Sequence, residues 1–366
     1  VVVGAGIIGC AVAYELSRRG AAVDIVDDRQ AGMGATQASA GVLAPYIEAH
    51  DKHSAFLEMA VRSLNMYDDF VSHVVADSGM PVAYARTGTF EVAVNAEQIA
   101  ALQRTAAHLE AERVPFRLLE SGDVRAEEPH LTADAIGGLL IGGHGFVQAG
   151  ELARALFAAA RRHGAAFVQA GRVRRIVHRT REVIVETNHR SLVGRAGIIA
   201  AGSWSGEIEV EGIRVRLPVR PVRGQLLHLS WKGSPLGRVV WADRCYLVPW
   251  HDGTLLVGAT TEEAGFDERA TAAGVRDLLE AACELVPQIW TAGFLRARVG
   301  LRPASPDELP IIGPSRVAPN LMYATGHYRN GVLLAPLTAN VIADALLEQR
   351  LDPMLQVTGP ARFGDL

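Results

Sequence analysis

Three cysteines in 366 residues are too few to frame a fold. Cys10, Cys245 and Cys283 are scattered, odd in number and form no C-x-x-C, which argues against a disulfide scaffold. A reduced, cytoplasmic compartment is expected, with Cys10 a small buried packing residue. Charge of one sign is also missing. The net charge of −4 and the lack of any polybasic stretch give no reason to expect a nucleic-acid or membrane partner. No apolar run reaches the roughly 18 residues of a spanning helix. The one early apolar segment carries a glycine cluster and reads as fold, not as a signal peptide. H-E-x-x-H, Cys/His clusters and EF-hand loops are absent, so no metal site is expected. A P-loop is absent too. Gly202-Ser203-Trp204-Ser205-Gly206 places Trp204 where a hydrolase elbow needs its serine, which argues against that class.

What is present begins at the first residue. Val1 to Val3 run into Gly4-Ala5-Gly6-Ile7-Ile8-Gly9, and a helical pattern follows. Apolar strand, G-x-G-x-x-G and helix in that order suit a dinucleotide pyrophosphate. The glycines allow a tight turn, close approach of backbone to phosphate, and helix–strand packing. The helix N-terminus adds free N–H groups and partial positive charge. Only three residues precede the first glycine, fewer than a central strand usually has. Further residues are therefore expected before Val1.

The cradle's helix is predicted over 10–19 and a second strand over Ala22–Val26, ending in Asp27-Asp28. Asp27, 18 positions after Gly9, is the better candidate for ribose hydroxyls, with Asp28 beside it. The alternative is a solvated acid at a strand end. Residues 32–45 are rich in small side chains and without period. They read either as a linker or, better, as a wall that lets backbone pass close to a flat ligand, with Thr36 and Ser39 as donors.

Helices are predicted over 54–76, 96–113, 151–163, 270–285 and 336–349. Strands are predicted over 87–94, 173–178, 182–187, 197–201, 225–229, 239–241, 246–248, 254–257 and 321–324. His251-Asp252-Gly253 reads as a hairpin turn. The style is α/β at both ends and antiparallel β in between. The fold class is therefore α/β: a discontinuous Rossmann-like nucleotide-binding domain plus an antiparallel β-sheet substrate-binding domain with helices. The length suits two domains. Segments 1–80, 146–216 and 297–366 are assigned to the first, 81–145 and 217–296 to the second.

A second informative block spans 299–335. Arg302 lies between Gly300 and Pro303, and an arginine fixed this way suits a bidentate grip on a carboxylate. The alternative is a structural ion pair. His327 and Arg329 stand in a glycine-flanked turn before the last helix. That turn can aim N–H groups and a positive helix end at the electron-accepting part of a cofactor, or it is a surface turn with a basic residue.

Taken together, these blocks resemble the D-amino-acid oxidase family of FAD enzymes, most of all its glycine-oxidase branch, associated with making the thiazole of thiamine. The carriers are GAGIIG at 4–9, Asp27, ATQASAGVL at 35–43, AAGSWS at 200–205, CYLVP at 245–249, LVGAT at 256–260, GLRP at 300–303 and GHYRNGVLLAP at 326–336. The resemblance implies FAD in an extended pose. Gly4, Gly6, Ile7, Ile8 and Gly9 would cradle the pyrophosphate, and Asp27 the ribose. Ala35, Thr36, Ala40, Gly41, Val42 and Leu43 would line pyrophosphate and flavin. Val173 would meet the adenine. His327, Tyr328, Arg329, Asn330, Gly331, Val332 and Leu333 would line the pyrimidine edge of the flavin. Arg302 and Tyr246 would hold a substrate carboxylate, with Arg329 near them.

The implied reaction is oxidation of glycine, sarcosine or a small D-amino acid, with hydride passing from Cα to flavin N5, an imine product, and O2 giving hydrogen peroxide. Transfer of the imine to a thiazole synthase and a homo-oligomeric state (dimer or tetramer) are also implied. Two departures stand out. Thr261 occupies a position near the substrate where a larger apolar residue is expected, followed by Glu262, and the match over 137–150 is loose. No cysteine near Arg302 corresponds to a flavin-linking residue, so noncovalent FAD is expected. The rivals are a D-amino-acid dehydrogenase that passes electrons to a quinone or carrier, and a flavin-binding subunit of a multi-component amine dehydrogenase.

Overall fold

The computed structural model describes residues 1–48, 54–231, 236–250 and 252–366. His251, the first residue of the expected hairpin turn, lies outside them; the strands that flank it, Tyr246–Pro249 and Thr254–Gly258, pair antiparallel.

The Val2–Val3 strand sits inside a six-stranded sheet. Asp24–Val26 and Gly197–Ile199 flank it in parallel, with Ala166–Val168 and Leu321–Thr325 outside them. Only Ile311–Pro314, at one edge, runs antiparallel. β-Branched residues fill these strands because both faces are covered. A second, eight-stranded sheet is mostly antiparallel and draws its strands from 89–141 and 220–304. Its longest pair, Arg220–Ser230 with Gly293–Ala304, sets Val222 opposite Arg302 and Gly224 opposite Gly300. The domain boundary expected at 297 falls inside that strand.

The cradle's helix spans Ile7–Arg18, and every residue from Ile7 to Ser17 is buried. It lies between the sheet and two other helices, Ala149–Arg162 and Gly331–Ala343. Its polar C-terminal end is neutralised locally: Arg19 pairs with Glu15 at 2.6 Å and Asp344 at 2.7 Å. Cys10 is fully buried, with its thiol donating to the Ala5 carbonyl.

The cradle's helix starts three residues before the expected 10–19, and two other helices differ more from expectation. The helix expected over 54–76 is two, Ser54–Asn65 and Tyr67–Ser78. The last helix starts at Gly331 rather than Pro336, which lies inside it. Proline has no N–H to give the carbonyl four residues back. That carbonyl, of Val332, accepts the buried Tyr67 hydroxyl instead, and the Leu333 carbonyl accepts Ser63 Oγ. The earlier start aims the helix N-terminus at the turn that precedes it. The stretch Gly331–Glu348 is long and apolar enough by composition to cross a bilayer, yet most of it is buried in the protein.

Candidate active site

A cavity of about 330 Å³ runs between the two sheets, lined by the cradle, the 34–42 segment, the 200–204 turn, the end of the Gly293–Ala304 strand and the 327–332 turn. It brings together most of the residues singled out above: Gly4, Gly6, Ile7, Ile8, Asp27, Asp28, Ala35, Thr36, Ala40, Gly41, Val42, Val173, Tyr246, Thr261, Arg302, His327, Tyr328, Arg329, Gly331 and Val332.

The glycines of the cradle do different work. Gly4 has φ +108°, and a Cβ there would sit 2.4 Å from the Ala200 carbonyl oxygen. A Cβ on Gly9 would lie 1.9 Å from the Gly4 carbonyl oxygen, so this glycine lets the helix touch the strand and does not line the cavity. A Cβ on Gly6 would meet only Thr36 Oγ1, at 3.7 Å. The fold itself tolerates a side chain at Gly6; what that side chain would fill is the cavity. That is the pattern a phosphate-bearing ligand requires.

The walls are tied to the cradle. Thr36 Oγ1 accepts the Ile7 N–H at 3.0 Å, capping one of the helix's unpaired donors. Asp27 accepts the Ala5 N–H at 2.6 Å and the Arg29 N–H at 2.8 Å, one on each oxygen. A carboxylate retains acceptor capacity beyond two bonds, so a ribose hydroxyl can still be received. Burial pushes the Asp27 carboxyl above its usual range against the pull of those two N–H groups. Gly300 is needed for packing: a Cβ there would lie 2.9 Å from the Ala38 methyl and 3.2 Å from the Ala35 backbone. The wall turn therefore rests directly on the strand that carries Arg302.

At the other end, two glycines make room for two of the candidate side chains. A Cβ on Gly224 would fall 2.4 Å from Arg302 Nη1, and one on Gly258 would fall 2.4 Å from the Tyr246 hydroxyl. Both are cross-strand neighbours that no local motif reveals. Arg302 Nη1 donates to the Thr260 carbonyl at 2.9 Å and to the Arg223 carbonyl at 3.4 Å. Trp241 stands beside Tyr246, ring centroids 5.0 Å apart. Arg329 is exposed and donates to Thr261 Oγ1 at 3.3 Å.

The 326–331 turn is held by an unusual backbone. Tyr328 has φ +49°, and its N–H donates to the Pro303 carbonyl at 2.9 Å, which joins this turn to the Arg302 strand. His327 is buried, and its Nε2 meets Thr338 Oγ1 at 3.1 Å. Burial pushes its pKa down to about 3, so the ring is neutral. Positive potential at this turn comes from the helix N-terminus and Arg329, not from His327.

Four expected residues stand behind the cavity wall. Gly9 packs the helix, and the Leu43 and Leu333 side chains are buried in the core. Asn330 is the N-cap of the last helix, 1% exposed, with an Oδ1 that has no hydrogen-bond partner among the described residues. Other lining residues escaped sequence reasoning, notably Arg29, Trp204, Trp241 and Ala259. Arg29 lies 4.5 Å over the Trp204 ring and forms a two-pronged pair with Glu268, at 2.9 and 2.8 Å. A cation directly after Asp27-Asp28 was a readable signal; its partner, 239 positions away, was not.

The open space over Gly6, the helix N-terminus and Asp27 fit a dinucleotide. The cavity's continuation to Arg302 and Tyr246 fits a reacting group and a small acid beyond it. The model of the DAO family, FAD-dependent oxidoreductases, matches residues 1–345. The bifunctional protein ThiO/ThiG of Nostoc sp. is 36% identical over 97% of this chain and 53% of its own length. The chain thus spans about half the length of that relative. Glycine oxidase of Geobacillus kaustophilus is 32% identical over 95% of this chain and 92% of its own. The crystal structure of glycine oxidase from that organism superposes with a TM-score of 0.94, covering 99% of this chain and 97% of the other. The chain belongs to the DAO family of FAD-dependent oxidoreductases.

Proposed function

We propose that this protein is an FAD-dependent oxidase of glycine, sarcosine or a small D-amino acid. The observation that carries the reading is the cavity itself: the cradle and Asp27 line it together with Arg302 and Tyr246. Likeness to glycine oxidase and to ThiO/ThiG supports the substrate class and a link to thiazole formation.

FAD, when bound, supplies the two-electron acceptor for the substrate's Cα–H bond, with an imine and, from O2, hydrogen peroxide as products. Gly4, Gly6, Ile7, Ile8 and Thr36 would hold its pyrophosphate. Asp27 would take the ribose, Val173 and Arg172 the adenine end, and the 327–332 turn the flavin. Among the described residues no cysteine lines the cavity, which supports noncovalent binding.

Arg302 neutralises the substrate carboxylate, and the Tyr246 hydroxyl donates a second hydrogen bond. Together they fix the α-carbon; orientation of this kind supplies up to roughly 7 kcal/mol or more of the barrier. Trp241 and Ala259 line the cavity beside them. Among the described lining residues the carboxylates are Asp27 and Asp28, at the cradle end, and His327 is held by Thr338. Among the described lining residues no carboxylate or unheld imidazole stands beside Arg302 and Tyr246, which agrees with removal of hydride from a neutral amine. Arg329 and the last helix's N-terminus would present positive potential to the flavin's pyrimidine edge.

The discontinuous domain division given above is part of this reading, as are cytoplasmic location and delivery of the imine to a thiazole synthase. The exposed side chains of Trp290, on the short turn Pro287–Thr291, and of Phe294 and Leu295, on the edge strand that follows it, support a homo-oligomer. The test is an anaerobic panel of glycine, sarcosine, D-alanine and D-proline scored by flavin bleaching, followed by peroxide yield in air. Bleaching by one of them with stoichiometric peroxide is expected. Bleaching without peroxide would sink the oxidase reading and point to a quinone or carrier as acceptor.

A further inference from the structure

Arg302 is held from below by two carbonyls, those of Thr260 and Arg223. One side chain ties down both residues. Glu262 Oε1 accepts the Thr260 hydroxyl at 2.5 Å, and Glu262 Oε2 accepts the Arg223 guanidinium at 2.6 and 3.2 Å. The backbone repeats the link: the Glu262 N–H donates to the Arg223 carbonyl, and the Arg223 N–H to the Glu262 carbonyl, each at 2.9 Å.

Buried partners surround this hub. Gln225 is fully buried and donates to Glu262 Oε1 at 2.7 Å and to Thr271 Oγ1 at 2.9 Å. Its own N–H donates to Thr260 Oγ1, and its Oε1 receives the Thr271 N–H at the start of helix Ala272–Leu285. Arg223, whose side chain is 8% exposed, also pairs with Asp267 at 3.1 Å. The Glu262 carboxylate thus has two oxygens, and each fixes one of the two residues whose carbonyls orient Arg302. In a satisfied polar network of this kind, loss of one member loosens the others.

We propose that Glu262 is a positioning residue for Arg302, holding the carboxylate-binding guanidinium in place without touching substrate. The proposal rests on the reading of Arg302 as the carboxylate clamp. Removal of the Glu262 charge leaves Arg223 with Asp267 and the Arg269 carbonyl, and the Thr260 hydroxyl with the Gln225 N–H, so the two carbonyls beneath Arg302 are held less firmly. The guanidinium keeps its charge and loses its aim.

The experiment uses FAD-loaded enzyme and acetate, a carboxylate with no amine to oxidise, its binding read from the flavin absorbance spectrum. Glu262→Gln is compared with Thr260→Val, which removes the hydroxyl that donates to Glu262 and accepts the Gln225 N–H, and with Arg302→Ala as reference. Glu262→Gln is expected to weaken acetate about tenfold and to raise the half-saturating substrate concentration similarly. The limiting rate of anaerobic flavin reduction should change less, and FAD release should stay at the wild-type rate. Thr260→Val should move acetate in the same direction by a smaller factor, and it serves as the test if Glu262→Gln does not load FAD. If Arg302→Ala weakens acetate and neither other variant does, the positioning role is overturned while the clamp stands. If Arg302→Ala leaves acetate unchanged, the clamp fails and the proposal with it. Equal weakening of acetate and FAD would show a structural role only and would overturn the proposal.

Discussion

Replacement of Arg302 by alanine removes a guanidinium that lies on a strand directly against Gly224. The guanidinium is half-buried, and Nη1 already donates to two carbonyls, so the group is ordered before substrate arrives. Two unit charges about 4 Å apart at a partly screened protein surface attract by about 4 kcal/mol. Loss of one partner of a hydrogen-bonded charge pair costs about 2–5 kcal/mol in measured complexes. The partial exposure of Arg302 argues for the lower half of that range. About 3 kcal/mol corresponds to roughly a 150-fold rise in the dissociation constant. Arg302→Lys keeps the charge and loses the planar fork, so a loss of about tenfold is expected. Rapid-mixing measurements of flavin reduction without oxygen separate the two parameters: the half-saturating substrate concentration should rise for both variants, and acetate should bind correspondingly more weakly. Unchanged half-saturation in Arg302→Ala would refute the carboxylate clamp.

Gly6 and Gly9 should respond in opposite ways. Gly9→Ala drives a methyl into the Gly4 carbonyl and should leave little folded protein, whereas Gly6→Ala should fold with a near-normal melting temperature and lose FAD affinity by an order of magnitude or more, read by fluorescence titration of apoprotein. Tyr246→Phe removes a hydrogen bond to a charged group, worth about 1.5–3 kcal/mol, and should raise the half-saturating substrate concentration at least tenfold with FAD binding intact. Stability should fall in mild acid, and, like His327, His144 contributes to that fall. Its Nε2 accepts the Tyr46 N–H and its Nδ1 meets Thr89 Oγ1 at 2.7 Å, and burial pushes its pKa down to about 3. The unfolded chain binds that proton from about pH 6.5 downward and the folded chain does not, so stability rises with pH between about 3 and 6.5, by about 1.4 kcal/mol per unit. His144→Gln should lower the melting temperature at neutral pH yet lose less between pH 7 and pH 5 than the wild type; an identical loss would show that His144 is not a group that titrates.

Local chemistry was the legible part of this chain. The cradle, its helix and the strand ending at Asp27 follow one another within 27 residues, and each is signalled by its own residues. Pairing at a distance was not legible. Gly224 under Arg302 and Gly258 under Tyr246 acquire meaning only from strand register, and Arg29 finds Glu268 across 239 positions. Pro336 misled because proline favours a helix start; here a tyrosine hydroxyl from another helix satisfies the carbonyl it leaves unpaired. The break at Met66 carries no glycine or proline to announce it. The strand Gly293–Ala304 escaped notice because its first half is exposed at a sheet edge and lacks a clear inward pattern. Tyr246 emerged from resemblance alone, since nothing in CYLVP states what the hydroxyl faces.

The central claim is that one cavity joins a dinucleotide cradle to a carboxylate clamp, so that a small amino acid reduces bound FAD. The most direct measurement mixes FAD-loaded enzyme with glycine, sarcosine, D-alanine and D-proline in the absence of oxygen and follows the flavin absorbance. The account predicts full bleaching by at least one of them and its loss at the same concentration in Arg302→Ala. No bleaching by any of the four, or equal bleaching in the variant, would contradict it.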